Sequence, residues 1–216
     1  MDYQKIYNKD YFDGRNSFFY KLGYGNFAKF YFDNLFRPLK SYIKNNKKGK
    51  VLDVGCAFGL MLERFPGSFE KFGVDVSEYA IEEARKRLPE AKFVIVNAED
   101  ELPLPENSFD IVLCNDLLEH LEYPEKALRN IFKVLKAGGI CYINSPNLNY
   151  FRKKIFFLAD RKEHHINLFS HEDLSKLLKK TGFKIVKRWT YINLTYFFFV
   201  KFKSNIGIES GFLCTK

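Results

Sequence analysis

From Lys50 onward, short apolar runs alternate with stretches of helical periodicity, which is the pattern of a parallel sheet covered by helices. Seven apolar runs predict strands: Lys50–Val54, Lys71–Val74, Lys92–Val96, Phe109–Cys114, Gly139–Asn144, Lys184–Tyr191 and Gly207–Cys214. No clear helical pattern separates the last two runs, so we expect them to form an antiparallel hairpin at the edge of the sheet.

Three helices in this part of the chain are predicted from their caps and from apolar residues at helical spacing. The first follows Ser77, the second begins at Pro124 and stops at Gly138-Gly139, and the third begins at Ser170 and ends at Gly182. Their inward residues are expected to be Ala80, Ile81, Ala84 and Leu88 in the first, Leu128, Ile131, Phe132 and Leu135 in the second, and Leu174, Leu177 and Leu178 in the third. Residues 147–169 interrupt the alternation, and a long insertion of this kind is expected to border a functional site.

The first 42 residues are crowded with aromatic side chains, of which fourteen are Phe or Tyr. Phe27, Phe30, Tyr31 and Leu35 recur at helical spacing until Pro38, which predicts an amphipathic helix packed on the main body. A polar run over 44–49 then marks a boundary. We therefore expect an aromatic helical segment over residues 1–46 and the main domain over 47–216.

Composition narrows the class of protein. With 216 residues, of which 46% are hydrophobic and 28% charged, the chain is long enough for one domain with an extra element and is not disordered or collagen-like. Its four cysteines, Cys56, Cys114, Cys141 and Cys214, are far apart and form no C-x-x-C pair, which argues against a disulfide framework or a zinc site and favours a reducing, cytoplasmic setting. We expect neither a signal peptide nor a membrane span.

The formal charge of +9 lies entirely in the last third of the chain, because residues 1–150 hold 21 basic and 21 acidic side chains whereas residues 151–216 hold 14 and 5. Such an excess can be a solvated face, or it can attract an anionic substrate, a nucleic acid or an acidic membrane surface.

The strongest chemical signal is Asp53-Val54-Gly55-Cys56-Ala57-Phe58-Gly59, where an apolar strand ends in a carboxylate and turns through small residues. A dinucleotide fingerprint would need glycines at positions 55, 57 and 60, but Ala57 and Leu60 occupy two of them. A carboxylate beside the turn also suits a cationic ligand better than a pyrophosphate. At the end of the next strand, Asp75 either accepts both hydroxyls of a ribose or caps the following helix.

Further motifs follow: Asn97-Ala98-Glu99 before Leu102-Pro103, then Phe109-Asp110, Glu119-His120 and Leu135-Lys136-Ala137-Gly138-Gly139. With the motif at 53–59 and Asp75, this set resembles the class I S-adenosylmethionine-dependent methyltransferases, in particular the small Rossmann-like group related to the enzymes of quinone biosynthesis. The resemblance implies an α/β, three-layer sandwich with a seven-stranded, mostly parallel sheet, an antiparallel edge hairpin and an N-terminal helical lid. Departures from the family pattern are Ala57 for glycine, Asn97 for aspartate and Ala137 for proline.

The resemblance also implies roles at matching positions, with S-adenosylmethionine as cofactor and S-adenosylhomocysteine as product. The loop of Gly55, Cys56, Ala57 and Gly59 cradles the methionine part, and Asp53 holds its ammonium directly or through water. Asp75 takes the ribose and Val76 flanks the adenine. The adenine edge is read by Asn97 and Ala98, with Glu99 assigned to the same site, and Asn115 contacts the sulfonium side. The N-terminal segment covers the cofactor, either with Tyr11, Tyr20 or Tyr24 in contact with it or by core packing alone.

Methyl transfer is an in-line displacement, so alignment of acceptor and methyl group can supply up to roughly 7–11 kcal/mol of the catalysis and a base is optional. For a hydroxyl acceptor, His120 with Glu119 is the candidate catalytic pair, unless the two only shape the loop. Asp116, Glu119 and His120 resemble a divalent-ion motif of some quinone O-methyltransferases, but we assign no metal. The stretch Glu163-His164-His165 and His171 are expected in acceptor-pocket or surface roles.

For the acceptor, missing signatures after the fourth and fifth strands disfavour methylation of adenine or glutamine amides and of cytosine carbon. The leading hypothesis is a small-molecule, lipid or sugar acceptor, anionic or amphipathic, methylated at oxygen or nitrogen. One alternative is an RNA methyltransferase, with phosphates contacted by Arg152, Lys153, Lys154, Arg161 and Lys162. Another is a module that binds the cofactor without turnover. The oligomeric state stays open.

Overall fold

The fold is built on one eight-stranded sheet. The computed structural model describes residues 1–13, 26–195, 198–202 and 205–216. The strands are β1 (Gly49–Val54), β2 (Phe69–Asp75), β3 (Lys92–Ile95), β4 (Phe109–Asn115), β5 (Leu135–Pro146), β6 (Lys184–Thr195), β7 (Phe198–Phe202) and β8 (Glu209–Thr215). Their order is β3-β2-β1-β4-β5-β8-β6-β7. The first five are parallel, and β8 runs antiparallel between β5 and β6.

All seven predicted strands are present, and the last two predicted strands do pair antiparallel. The strand count of seven was wrong, since β7 adds an eighth strand that pairs with β6 and forms the edge. The predicted hairpin therefore lies inside the sheet rather than at its edge. The two residues between Thr195 and Phe198 are both aromatic, so the sequence carries no turn signal at the point where β6 and β7 separate.

The helices are α1 (Tyr3–Ile6), α2 (Lys9–Phe12), α3 (Asn26–Phe36), α4 (Lys40–Asn45), α5 (Glu78–Arg87), α6 (Pro124–Val134), α7 (Tyr150–Ile155), α8 (Phe157–Lys162) and α9 (His171–Lys180). The predicted caps hold, because the side chain of Ser77 accepts from the backbone N–H of Ala80 and that of Ser170 from Asp173. The second predicted helix ends earlier than expected, at Val134. Leu135 already belongs to β5, where it pairs with β4.

Helices cover both faces of the sheet and produce three layers. On one face, α6 and α9 bury Leu128, Ile131, Leu174 and Leu178 against the strands. The other face receives α3 to α5, with residues such as Leu35, Leu39, Ile81 and Ala84. At roughly 25 cal/mol for each Å² of apolar surface buried, these contacts are the main favourable contribution to folding.

A third, smaller apolar cluster joins α1 and α2 to the start of α5. It contains Tyr3, Tyr7, Tyr11, Phe12 and Ala80. Because β1 and β2 end beside it, this cluster lies at the carboxyl edge of the parallel strands, where open α/β sheets bind ligands. In the described part of the chain, no helix combines the length and the apolar character that crossing a membrane would need. All four cysteines are buried free thiols.

Candidate active site

The loop after β1 has an unusual backbone. Gly55, Ala57 and Gly59 all have positive φ, at 77°, 43° and 74°, a conformation that glycine adopts readily and alanine does not. The backbone N–H groups of Gly55 and Cys56 donate to the carbonyl of Val74, which ties the loop to the end of β2. Ala57 is held in place because its N–H donates to Oδ2 of Asp75 at 2.8 Å. These hydrogen bonds hold the loop in one conformation against the end of β2.

Two carboxylates, the half-buried Asp75 and the buried Asp53, lie beside this loop. Asp75 accepts one backbone hydrogen bond on each oxygen, from Ala57 and from Ser77, and its pKa is raised because burial outweighs these bonds. Each oxygen retains capacity for a further donor. Asp53, at the end of β1, is 3% exposed, and burial together with the charge of Asp75 raises its pKa to about 7. The pair creates a strongly negative environment in which a cationic group is favoured.

A cavity of about 90 Å³ opens at this edge of the sheet. Its walls combine the N-terminal segment, the strand ends and the turn after β4. The lining residues are Tyr3, Tyr7, Tyr11, Phe12, Gly55, Val74, Asp75, Val76, Val96, Asn97, Ala98, Asp116, Leu117, His120 and Leu121.

The predicted site residues divide into two groups. Those that line the cavity are Gly55, Asp75, Val76, Asn97, Ala98, His120 and Tyr11. Those that do not line it are Asp53, Cys56, Ala57, Gly59, Glu99, Asn115 and Glu119. Tyr20 and Tyr24 lie outside the described residues. Sequence reasoning missed Tyr3, Tyr7 and Phe12, although the aromatic crowding of the N-terminus was a signal for them.

Glu99 fastens the N-terminal segment to the domain. Its Oε2 accepts a hydrogen bond from the hydroxyl of Tyr3 at 2.9 Å, and its Oε1 accepts from the backbone N–H of Tyr123. The hydroxyl of Tyr3 in turn accepts from the N–H of Glu122 at 2.8 Å. The backbone N–H of Glu99 donates to Oδ1 of Asn97, which orients that amide toward the cavity wall. The carboxylate of Glu99 thus holds the N-terminal segment against the cavity.

On the opposite wall, Glu119 and His120 form a short turn after β4. Glu119 is fully buried, accepts from the hydroxyl of Ser145 at 3.1 Å, and has a pKa well above its ordinary value because of burial and the nearby charge of Asp116. Burial and the neighbouring His165 lower the pKa of His120 to about 3. Oε1 of Glu119 and Nδ1 of His120 have no hydrogen-bond partner among the described residues. Burial therefore favours the protonated form of Glu119, and His120 is neutral near pH 7.

Asp116 does not join this pair in the arrangement that the sequence motif suggested. Its carboxylate accepts from the hydroxyl of Tyr31 at 2.6 Å and from the amide of Asn144 at 2.8 Å. The group with ligand atoms within 4.8 Å of one another is instead Glu119, His120 and His165. His165 comes from the insertion, and its ring centroid lies 4.8 Å from that of His120.

The insertion is anchored by a buried ionic network. Arg152 donates to both oxygens of Asp160 and to Oε1 of Glu209, and Asp160 also contacts Nδ1 of His165 at 2.9 Å. Arg152 is 5% exposed. The suggestion that Arg152 contacts RNA phosphates is therefore wrong, since its guanidinium is already occupied by two carboxylates.

The remaining histidines are separated by the fold. His171 is buried, stacks on Phe212 with ring centroids 4.6 Å apart, and has its pKa lowered to about 4 by burial. Its backbone N–H donates to Asn147, so it holds the start of α9. His164 is exposed.

Comparison with known proteins decides the family. A family model described as a methyltransferase domain matches residues 27–188, three quarters of the chain. The chain belongs to this family. The resemblance to class I S-adenosylmethionine-dependent methyltransferases is thereby confirmed, together with the Rossmann-like α/β fold.

Individual relatives of this methyltransferase are moderately similar. An uncharacterized protein of Methanocaldococcus jannaschii is 33% identical over 144 residues, which cover 65% of this chain and 67% of that protein. A ubiquinone biosynthesis O-methyltransferase of an Azoarcus species is 32% identical over 60% of this chain and 58% of its own length. The chain thus spans little more than half of that enzyme.

Among solved structures, a S-adenosylmethionine-dependent methyltransferase of Thermotoga maritima, described as a possible histamine N-methyltransferase, superposes with a TM-score of 0.70. The alignment covers 87% of this chain and 89% of that one, at 23% sequence identity. At this identity the likeness supports the fold and not the substrate.

Proposed function

We propose that this methyltransferase transfers the methyl group of S-adenosylmethionine to an oxygen or nitrogen of a small-molecule, lipid or sugar acceptor and releases S-adenosylhomocysteine. The observation that carries the proposal is the cavity in which Gly55, Asp75 and Asn97 face Tyr7 and His120. It joins residues suited to the cofactor with residues suited to a reacting acceptor. Residues 1–46 act in this proposal as a lid over the domain of residues 47–216.

The residues present fit the cofactor. Asp53 is a buried carboxylate whose pKa is raised to about 7, and an ammonium beside it would restore its ordinary ionisation. Asp75 has an unused lone pair on each oxygen for ribose hydroxyls. The hydroxyl of Tyr7 is buried without a partner among the described residues, although a buried hydroxyl normally has one. When bound, S-adenosylmethionine supplies a methyl group on a positively charged sulfur, which leaves as a neutral thioether.

A proton must leave a hydroxyl acceptor, and we assign its acceptance to His165. Nδ1 of His165 faces Asp160, which the buried Arg152 holds ionised, and the pKa of Asp160 is lowered by His165 and Arg152 despite its burial. A histidine oriented by a carboxylate presents its other nitrogen as a base. His120 and Glu119 then hold the acceptor, because the neutral imidazole can accept a hydrogen bond and burial favours the protonated carboxyl, which can donate one.

The acceptor we propose is neutral or amphipathic. Two further acidic side chains, Asp116 and Glu209, lie near Glu119 in this part of the site, and the one buried arginine among the described residues there, Arg152, is already paired. An anionic reacting group would meet repulsion without a free cation nearby. The exposed lysines of the insertion lie farther out and can contact other parts of an amphipathic molecule.

Calorimetric titration with S-adenosylmethionine, and with NADH as a control ligand, tests the cofactor. We expect micromolar binding of the first alone and at least a tenfold loss in Asp75→Asn, with the exposed Asp100→Asn unchanged. Transfer of labelled methyl groups to fractionated cell extract tests turnover. His165→Gln should bind the cofactor normally and lose transfer, whereas its exposed neighbour His164→Gln should retain both.

Two results would contradict this assignment. Absence of S-adenosylmethionine binding would remove the enzyme proposal altogether. Tight binding without transfer to any fraction would favour a binding module without turnover.

A further inference from the structure

Helices α7 and α8 present an exposed apolar surface. Its five side chains are Tyr150 at 65% exposure, Phe151 at 52%, Ile155 at 66%, Phe157 at 61% and Leu158 at 75%. They make up half of the ten exposed large hydrophobic residues in the described part of the chain, within nine consecutive positions. Single exposed apolar side chains are ordinary, but a concentration of this kind marks an interaction surface. We call these five residues, with the basic side chains between them, the α7–α8 face.

The charge of this face has one sign. Lys153, Lys154, Arg161 and Lys162 are exposed between and beside the apolar residues. The only acidic residue of the two helices, Asp160, is buried and bound to Arg152. The α7–α8 face therefore carries four exposed positive charges and no exposed acid.

The two helices are held with their polar side inward. A surface helix normally buries its apolar side and exposes its charges. Here the buried contact is the ion pair of Arg152 from α7 with Asp160 from α8, and Arg152 continues to Glu209 at the start of β8. Breaking this pair would leave unpaired charges in the interior, so the apolar side chains cannot rotate inward cheaply. The fold keeps them at the surface.

We propose that the α7–α8 face docks on the surface of a membrane that contains anionic lipids. The apolar side chains enter the boundary between headgroups and acyl chains, and the four basic side chains meet the lipid phosphates, the combination typical of interfacial helices. Six residues per helix are too few to cross a bilayer, so the helices lie in the plane of the interface. The aliphatic Ile155 and Leu158 favour hydrocarbon over RNA, because they offer no ring for base stacking.

Docking in this orientation places the active site close to the membrane. His165 follows α8 by three residues, is held by Asp160, and lies against His120 in the cavity wall. An amphipathic acceptor embedded in the bilayer would then have a short path to the site. The docking proposal itself rests on the face alone and stands or falls independently of the methyl acceptor.

Sedimentation with lipid vesicles tests the proposal directly on the full chain. We expect binding to vesicles of 70% phosphatidylcholine and 30% phosphatidylglycerol, little binding to pure phosphatidylcholine, and a decrease with added salt. Phe157→Glu/Leu158→Glu and Lys153→Glu/Lys154→Glu should each weaken binding at least tenfold. Because these side chains are exposed, circular dichroism and the melting temperature should stay close to those of the parent.

Matched control variants show whether the location of a substitution matters or only the charge that it introduces. Val186→Glu also places a charge at an exposed apolar side chain, but in β6. Lys47→Glu/Lys48→Glu changes the net charge as much as the lysine pair of the face does, but before β1 at the amino edge of the parallel strands. Both control variants should bind vesicles like the parent.

Three outcomes would overturn the proposal. One is absence of vesicle binding at low salt, and another is equal loss in the face and control variants. The third is a different occupant: binding of single-stranded RNA in place of vesicles, or a dimer in size-exclusion chromatography that Phe157→Glu/Leu158→Glu dissociates.

Discussion

Asp53→Asn should make the free protein more stable and make cofactor binding weaker. The carboxyl of Asp53 is 3% exposed, and burial followed by the charge of Asp75 raises its pKa from 3.8 to about 7. Above pH 7 the folded protein must therefore keep an unfavourable buried charge that the unfolded chain exposes to water. Asparagine has nearly the same shape without the charge, so it removes this cost and also removes the partner proposed for an ammonium.

The magnitude follows from the pKa difference between the folded and unfolded states. A shift of about 3 units at 1.36 kcal/mol per unit corresponds to about 4 kcal/mol of destabilisation above pH 7. Because the folded-state pKa is the higher one, this cost is absent below pH 3.8 and grows as the pH rises toward 7. Near pH 4.5 it is only about 1 kcal/mol.

Urea unfolding of the parent and of Asp53→Asn at about pH 4.5 and pH 8 measures the effect. The free energy of unfolding of the variant, relative to that of the parent, should be about 3 kcal/mol higher at pH 8 than at pH 4.5. Other titrating groups contribute equally to both proteins, so their effects cancel in this comparison. Calorimetry at pH 8 should show at least a tenfold loss of affinity for S-adenosylmethionine. A variant that is no more stable at pH 8 would refute the buried-charge argument, and unchanged affinity would refute the ammonium role.

Four further outcomes are expected. Tyr7→Phe should leave the free energy of unfolding unchanged or raise it by about 1 kcal/mol, since it removes an unpartnered buried hydroxyl, while calorimetry shows weaker cofactor binding. Arg152→Met should cost about 3–5 kcal/mol in urea unfolding because it removes the buried cation that the carboxylates of Asp160 and Glu209 share, whereas the exposed Lys153→Met should change little. Ala57→Gly should stabilise the fold by up to about 1 kcal/mol, because φ is positive at this position, whereas replacing alanine by glycine usually destabilises a protein. An unchanged or lower melting temperature would contradict this expectation. The ring signals of His120 in NMR spectra should not titrate between pH 5 and 8, since its pKa is lowered to about 3, and a midpoint in that range would show that the ring is solvated.

The residues of the proposed cofactor half of the site could be predicted from sequence because they depend on local pattern. The loop at 55–59 follows β1, Asp75 is the last residue of β2 and Asn97 comes just after β3, and parallel strands bring their carboxyl ends to one edge. The local pattern did not reveal which side-chain oxygens already accept hydrogen bonds within the protein. The carboxylate of Asp75, for example, accepts from two backbone N–H groups.

The acceptor half could not be predicted in the same way, because distant segments assemble it. His165 lies against His120 while its Nδ1 contacts Asp160, and the next two backbone N–H groups donate to the carbonyl of Glu119. Arg152 binds Asp160 and also reaches Glu209 across 57 positions of the sequence. The sequence motif at 116–120 suggested Asp116 as the neighbour of Glu119 and His120 in a ligand set. In the structure Tyr31 and Asn144 bind Asp116 instead, and no periodicity or spacing encodes those contacts.

The buried ion pair of Arg152 and Asp160 links the proposed membrane face to the proposed base. The same Asp160 carboxylate that binds the guanidinium also orients His165 through Nδ1. A tilt of α7 or α8 upon docking would therefore change the position of His165 relative to His120, whose rings are 4.8 Å apart. Because a buried charge pair tolerates little separation, docking and base orientation are expected to change together rather than independently. Vesicles should accordingly alter the NMR signals of His165 in the parent protein and leave them unaltered in Phe157→Glu/Leu158→Glu.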